Sequence, residues 1–263
     1  MTTSSDLAKN GFMQRLEARK NEYQERMRQR LAEFDGDCTY CFDDPESVCE
    51  ECDRGIALIA HYRDQEAMQF IQASGLPLRF WQHTFESYPA KGKREVERFV
   101  DSWDGKQSLL LTGGYGVGKT GLIAAALRRI AARYSTTPVE QLGLSYGNKE
   151  RKPIFFASTV SLTDALRAGY NDGTFQQTLN RAKSCRLLVL DDLGSEKASE
   201  WVQERLFSII DDRYGAMLPT WGTSNLGPEQ LATQIGERAF WRLIENGQLI
   251  QVNGPNLRDR RSA

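Results

Sequence analysis

The sequence predicts an α/β protein built on a parallel β-sheet with helices on both faces. From residue 84 onward, short apolar runs alternate with segments of helical periodicity, and each run is apolar at consecutive positions. Continuous apolar runs are typical of strands that are buried on both faces, as the strands of a parallel sheet are. A glycine-rich segment at residues 113–121 separates the first apolar run from the helix that follows it.

The predicted strands and helices follow one another in a regular order. Strands are predicted at residues 108–112, 153–157, 187–190 and 220–224. Helices are predicted at residues 95–103, 121–133, 161–169, 174–182 and 200–214. The polar stretch at residues 135–152 predicts a long surface loop.

The composition excludes some classes of protein. A chain of 263 residues has room for one large core and a small accessory module. Its net charge of -1 gives no overall attraction to nucleic acid, so a DNA contact would be a local patch. No apolar run approaches the roughly 18 residues of a membrane span, and residues 1–15 do not resemble a secretory signal. We expect a cytoplasmic protein that does not contact a membrane.

The segment at residues 113–121 reads GGYGVGKTG and satisfies two phosphate-binding patterns. The dinucleotide pattern G-x-G-x-x-G begins at Gly116, and the triphosphate pattern G-x-x-x-x-G-K-[ST] begins at Gly113. Lys119 and Thr120 favour the triphosphate, because only that site uses a cation on the phosphates and a hydroxyl on Mg2+. The sequence therefore predicts an ATP and Mg2+ site. Its predicted phosphate-binding residues are Gly113, Gly114, Tyr115, Gly116, Val117, Gly118, Lys119, Thr120 and Gly121.

Two acids directly follow the third predicted strand, in the segment LLVLDD. We predict that Asp191, together with Thr120, holds Mg2+ and that Asp192 orients the attacking water. The alternative is that the two acids merely end a core strand. Glutamate is the more familiar water-polarising acid, so the shorter side chain of Asp192 leaves the rate of hydrolysis open.

Polar residues further along the chain complete the predicted catalytic set. Asn225 ends the fourth strand and is the candidate sensor of the γ-phosphate, although asparagine at such a place often forms a turn. Arg238 and Arg242 lie four positions apart on one face of a predicted helix. That spacing is typical of a solvated face, but in an oligomeric ATPase one such arginine reaches the γ-phosphate of a neighbouring subunit. Arg242 is the first choice and Arg238 the second.

Four cysteines near the N-terminus predict a zinc site. They follow the spacing C-x2-C-x7-C-x2-C, which in a reducing compartment indicates metal ligands rather than disulfides. Four thiolates suit a closed, structural Zn2+ site. The alternatives are four reduced thiols, a redox-active pair, or His61 as a substitute ligand. The predicted ligands are Cys38, Cys41, Cys49 and Cys52.

These observations divide the chain into four parts. Residues 1–36 form a charged helix, residues 37–60 the zinc module, residues 61–83 a linker and residues 84–263 the ATPase domain. The apolar stripe of the charged helix is narrow, so this helix is either a solvated face or a docking surface for another protein.

An ordered set of motifs resembles a known family. The segments LLLTGGYGVGKT, LLVLDDLGSEKASEW, RLFSIIDDRY, TSNL and GERAFWRL are similar to those of the DnaC/DnaI helicase loaders and the related IstB transposition ATPases, which are AAA+ proteins. The resemblance covers about residues 76–263. It implies an oligomer that forms on ATP binding, with Arg242 acting in trans and Arg258 as a second sensor arginine. It also implies a core without the C-terminal helical lid.

The resemblance further implies an ATP-dependent loader of a replicative hexameric helicase. The helicase would bind the N-terminal region, at residues 1–60, and single-stranded DNA would bind the ATPase assembly. Two basic clusters are candidates for the DNA surface, and each is alternatively a solvated face. They are Arg181, Lys183 and Arg186, and Arg128, Arg129 and Arg133. Two other functions stay open, an IstB-like ATPase that regulates a transposase and a nucleotide-gated scaffold that hydrolyses little ATP.

Overall fold

A computed structural model of the chain describes residues 64, 67–86, 89–134, 154–195 and 199–258. The chain divides into two compact units, Met1–Gln65 and Glu66–Ala263, and all elements below belong to the second. The predicted charged helix and the four cysteines of the predicted zinc site lie outside the described residues. No helix in the described ranges is long and apolar enough to cross a membrane.

One sheet of five parallel strands forms the centre of this unit, in the order β2-β3-β4-β1-β5. The strands are β1 Ser108–Thr112, β2 Ile154–Ser158, β3 Leu187–Leu193, β4 Thr220–Ser224 and β5 Gly247–Gln251. Every residue of β1 and β4 is buried, as central strands require, whereas most of the edge strand β5 is exposed. The predicted α/β class is confirmed. The sequence predicted β1 to β4 and did not predict β5.

Helices connect the strands and begin close to the strand ends. Residues 67–74 are helical (α1), and a short 3-10 turn follows at Leu78–Phe80. The longer helices are α2 Lys93–Ser102, α3 Lys119–Tyr134, α4 Thr159–Asp172, α5 Phe175–Ser184, α6 Glu200–Gly215, α7 Pro228–Ile235 and α8 Glu237–Glu245. Ser158 and Ser199 cap α4 and α6 by accepting backbone N–H groups. Each cap satisfies a donor that the first helical turn leaves without a partner.

Apolar side chains cover the sheet on both faces. Successive residues of a strand point to opposite faces, so Leu109 and Leu111 of β1 enter one core and Leu110 enters the other. The first core also contains much of α3, and the second contains the apolar faces of α4 to α8. This two-sided burial explains why the sequence of β1 is apolar without alternation.

The first core includes residues that the sequence assigned to the linker. Ile71 and Leu76 of the predicted linker are buried in it, as is Phe85 of the predicted ATPase domain. Arg128 of α3 donates to the carbonyl oxygen of Trp81 at 2.9 Å. Residues 67–86 therefore pack as part of the sheet-and-helix unit, because their aromatic and aliphatic side chains find apolar partners there.

Candidate nucleotide-binding site

A glycine-rich loop connects β1 to α3 at the carboxyl edge of the sheet. Gly113, Gly116 and Gly118 have φ angles of 142°, 74° and 103°, a region that favours glycine. A Cβ on Gly113 would collide with the carbonyl oxygen of Val252, and one on Gly116 would collide with the side chain of Asn256. Glycine is thus required both for the turn and for the close approach of the C-terminal segment. Helix α3 begins directly after this loop, and the N–H groups at a helix N-terminus are suited to bind phosphate.

Lys119, the first residue of α3, bonds to the backbone of the loop. Its side chain is buried, and its Nζ donates to the carbonyl oxygens of Gly113 and Gly114, both at 2.8 Å, and to Oδ1 of Asn225 at 2.7 Å. Burial lowers the pKa of Lys119, and the charges of Asp192 and Asp191 oppose that shift. An ammonium group is therefore held inside the mouth of the loop, where phosphate oxygens can replace the loop carbonyls as its acceptors.

Asp191, at the end of the buried part of β3, faces two hydroxyl groups. Its Oδ1 accepts from Thr120 Oγ1 at 2.9 Å and from Thr223 Oγ1 at 2.7 Å. Burial raises the pKa of Asp191, while these two hydroxyl donors lower it. A carboxylate and a hydroxyl in contact are hard oxygen ligands of the kind that Mg2+ binds. The side chains of Thr120 and Asp191 therefore fit the predicted metal.

Asp192 lies where the pairing of β3 with β4 becomes irregular, between Leu190 and Leu193. Its φ of 57° is in the left-handed region, which aspartate tolerates better than most residues. Its Oδ1 accepts from Nδ2 of Asn225 at 3.1 Å. Because Asn225 also accepts from Lys119, the three side chains form one hydrogen-bonded chain at the edge of the sheet.

The segment after β5 crosses the loop. The N–H of Val252 donates to the carbonyl oxygen of Thr112 at 2.7 Å, and the N–H of Leu257 donates to that of Gly116 at 2.9 Å. The positive charge of Arg258 contributes to the lowered pKa of Lys119. The role of Arg258 as a second sensor arginine stays a prediction.

Arg238 and Arg242 contact none of these groups in their own chain. Nε of Arg242 pairs with Oδ1 of Asp211 on α6 at 2.7 Å, and its guanidinium group lies 4.9 Å from the ring centre of Phe207. Arg238 is exposed and forms no ion pair with the described residues. Their role on a neighbouring subunit stays a prediction.

The two basic clusters proposed for DNA differ in how far their charges are paired. Arg129 bonds to Glu97 at 2.7 Å and also to Glu86 and Asp101, so its charge is largely neutralised. In the other cluster, Lys183 pairs with Asp212 at 2.7 Å. The guanidinium group of Arg181 lies 4.0 Å from the ring centre of Phe155. One charge of each cluster, that of Arg129 and that of Lys183, is therefore already paired with carboxylates of the chain.

An aromatic cluster that the sequence did not predict lies where α4, α5 and α6 meet. Tyr170 is 58% exposed and stacks on Phe175 with ring centres 4.3 Å apart. The ring of Trp201 lies 6.3 Å from that of Tyr170, and the guanidinium group of Arg167 lies 4.9 Å from the centre of Trp201. The residues come from three helices, so no spacing in the sequence indicates the cluster.

The phosphate loop after β1, its lysine and hydroxyl, and the acid on β3, one strand beyond the neighbouring β4, define a P-loop protein that binds nucleoside triphosphates. The model of the family described as "IstB-like ATP binding protein" matches residues 56–263, and the chain belongs to that family.

Known relatives of the chain include helicase loaders and an insertion-sequence protein. The replicative helicase loader DnaI of Bacillus subtilis is 27% identical over 181 residues, which are 63% of this chain and 53% of DnaI. The chain thus spans about half the length of that relative. The replicative helicase loader DnaC of Escherichia coli K12 is 23% identical over 217 residues, covering 79% of this chain and 82% of DnaC. A putative ATP-binding protein in an insertion sequence of Mycobacterium tuberculosis is 26% identical over 163 residues, covering 60% and 58%.

The fold agrees with these relatives. A crystal structure of the DnaC helicase loader matches with a TM-score of 0.55 and 26% identity, covering 67% of this chain and all 100% of that chain. The predicted AAA+ type of core and the resemblance to helicase loaders and IstB-like proteins are confirmed.

Proposed function

We propose that the chain is an ATPase that assembles with further copies on ATP binding and loads a replicative helicase onto single-stranded DNA. The observation that carries this proposal is the contact of Thr120 with Asp191 beside the buried Lys119. This arrangement supplies a metal-holding pair and a phosphate cation in a family that binds ATP. The similarity to DnaC and DnaI supports the helicase as partner.

Each side chain of the site has a distinct proposed task. Lys119 and the loop N–H groups bind the β- and γ-phosphates, and Thr120 and Asp191 hold Mg2+. The metal, when bound, supplies positive charge that offsets the charge of the phosphates. Asp192 orients the attacking water. The amide of Asn225 bonds to both Asp192 and Lys119 and holds these two side chains in position beside the γ-phosphate. Arg258 adds a second cation near the loop.

A neighbouring subunit completes the site in this proposal. Arg242, with Arg238 as the second choice, reaches the γ-phosphate bound by the next copy and stabilises charge in the transition state. Arg242 leaves Asp211 to do so, which exchanges one half-exposed ion pair for a contact with phosphate. Hydrolysis removes the γ-phosphate and with it the contact between copies, and that loss releases the helicase.

For single-stranded DNA we propose the aromatic cluster of Tyr170, Phe175 and Trp201. Exposed rings stack on bases irrespective of sequence, and an adjacent arginine attracts the phosphates. Arg167, which lies over the ring of Trp201 and pairs with Asp164 at 3.3 Å, supplies that cation. Tyr170→Ala should weaken single-stranded DNA binding by the ATP-bound assembly about 10-fold, since stacking contributes about 1–3 kcal/mol per base. Met217→Ala, which truncates an exposed apolar side chain outside the nucleotide site and outside the cluster, is the control for a general effect of losing exposed apolar surface. Equal DNA binding by the two variants would exclude the cluster.

The test of the main proposal is helicase loading. The full chain and a replicative helicase are incubated with circular single-stranded DNA and ATP, and the helicase that remains on the circle is measured. We expect loading with the wild-type chain, none with Lys119→Ala, and helicase loaded but not released with Asp192→Asn. Helicase release that is unchanged by Asp192→Asn, together with no ATP turnover, would instead favour the nucleotide-gated scaffold.

The second candidate is regulation of a transposase, which the similarity to an insertion-sequence ATP-binding protein favours. Co-purification with the full chain separates the two, because the helicase loader recovers a hexameric helicase and the transposition ATPase recovers a transposase. Recovery of the helicase should be lost when residues 1–60 are deleted, since we assign the partner contact to that region with its proposed structural Zn2+ site.

A further inference from the structure

Thr223 contacts both acids of the nucleotide site with one hydroxyl group. The residue lies in β4, and its side chain is fully buried. Its Oγ1 donates to Oδ1 of Asp191 at 2.7 Å and accepts the backbone N–H of Asp192 at 2.9 Å. A hydroxyl has a single proton to donate, so the bond to Asp191 leaves only lone pairs for Asp192. The direction of both bonds is therefore determined.

The irregularity in the sheet explains why a side chain takes this place. Leu190 pairs with Gly222 and Leu193 pairs with Ser224, so two residues of β3 stand opposite Thr223 alone. Such a bulge interrupts the ladder and re-aims the side chains on the longer strand. The Thr223 hydroxyl accepts the displaced N–H of Asp192 and thereby bridges the two strands at the point where the backbone bonds are interrupted.

The bond to Asp191 also selects one orientation of its carboxylate. Thr120 and Thr223 both donate to Oδ1, and no hydrogen bond from the described residues falls on the other carboxylate oxygen. A carboxylate held on one oxygen by two donors presents the second oxygen in a defined direction. Residues that orient a metal-binding group in this way commonly affect metal affinity about 10- to 100-fold.

We propose that Thr223 is a positioning residue for ATP hydrolysis, because its hydroxyl orients the carboxylate of Asp191 toward Mg2+ and fixes the backbone of Asp192, which orients water. This inference rests on the proposed ATPase function. It makes two separable statements, one about metal affinity through Asp191 and one about turnover through Asp192.

The test compares Thr223→Val, which keeps the shape and removes the hydroxyl, with Thr223→Ser, which keeps the hydroxyl. Binding of a fluorescent ATP analogue is measured with EDTA and over a range of Mg2+ concentrations, and turnover is measured at saturating Mg2+. For Thr223→Val we expect unchanged affinity in EDTA, a half-saturating Mg2+ concentration raised about 10-fold, and turnover lowered about 10- to 100-fold. Thr223→Ser should stay within about 3-fold of the wild type in each measurement.

Thr163→Val is the matched control. It makes the same chemical change at a buried threonine whose hydroxyl contacts only carbonyl oxygens of its own helix. It should leave the Mg2+ dependence unchanged. Thermal unfolding without nucleotide shows whether each variant is folded. If Thr223→Val does not fold, the pair Thr223→Ala and Thr223→Ser makes the same comparison.

The Asp192→Asn background separates the two statements. There, Thr223→Val should still raise the half-saturating Mg2+ concentration but should lower turnover no further. Unchanged Mg2+ dependence in Thr223→Val, or failure of serine to restore it, would overturn the proposal. A wild-type chain that binds Mg2+ and nucleotide without hydrolysis would refute the ATPase function instead, and the binding measurements would still test the role of Thr223 at Asp191.

Discussion

The ion pair between Arg242 and Asp211 allows a sharp test of the predicted contact in trans. Arg242→Gln removes the guanidinium group, and Asp211→Asn removes only the partner that holds it in its own chain. The side chains are 30% and 40% exposed, so the pair contributes at most about 1 kcal/mol to stability. Contact of the arginine with the Phe207 ring adds about 0.5–1 kcal/mol.

These magnitudes differ from those expected for a contact with the γ-phosphate. An arginine that stabilises transition-state charge accelerates hydrolysis about 10³-fold or more, which corresponds to about 4 kcal/mol. Arg242→Gln should therefore lower ATP turnover about 1,000-fold while lowering the free energy of unfolding by only about 1–2 kcal/mol. Asp211→Asn should lower stability by about 1 kcal/mol or less and leave turnover equal or higher, because it frees the arginine.

The assay is steady-state ATP turnover as a function of protein concentration, with chemical denaturation in parallel. Arg242→Gln mixed with Lys119→Ala should regain activity, since one copy supplies the nucleotide site and the other supplies the arginine. The same mixture with Arg238→Gln in place of Arg242→Gln tests the second choice. The reasoning fails if Arg242→Gln and Asp211→Asn lower turnover equally, because Arg242 then serves only the packing of α8 on α6.

Three further predictions follow from single residues or groups. Lys119→Ala should weaken ATP binding at least about 10-fold in an equilibrium titration, because a charge-assisted hydrogen bond to phosphate is worth about 1.5–3 kcal/mol; tight binding would contradict the assigned site. Metal analysis of the purified chain should find about one zinc per chain, bound by the four cysteines near the N-terminus, and a folded N-terminal region without metal would refute that assignment. Met217 has a φ of 55° and is 61% exposed, so Met217→Gly should raise the free energy of unfolding by up to about 1 kcal/mol in urea titration, since glycine adopts this conformation without strain.

The parts of the fold that the sequence predicted are those in which one local pattern determines the structure. Strands β1 and β3 are buried at almost every position, and β2 is buried or partly buried throughout, so their sequences are apolar runs that are recognisable without tertiary information. Strand β5 was missed because it buries only Ile250, and its sequence GQLIQ contains no longer apolar run. The packing of Ile71 and Leu76 was also missed, because these residues join the core only through the fold, which brings them into one cluster with residues far along the chain.

The same distinction applies to the candidate site. Lys119 and Thr120 belong to a contiguous motif, and Asp191 follows a strand, so their proximity could be predicted from parallel topology alone. Thr223 could not be assigned a task, because its role depends on a one-residue irregularity between β3 and β4 that no periodicity reveals. Likewise, the sequence indicates only that Arg242 lies on one face of a helix, and the structure shows that it forms an ion pair with Asp211.

The backbone hydrogen bond from Leu257 to Gly116 links an exposed residue to the phosphate loop. The side chain of Leu257 is 38% exposed, although its N–H is bonded to the loop that must adjust when phosphate enters. A small environment-sensitive fluorophore attached at this position would therefore change its emission with nucleotide occupancy. Position 257 is therefore an attachment point for a real-time sensor of nucleotide binding.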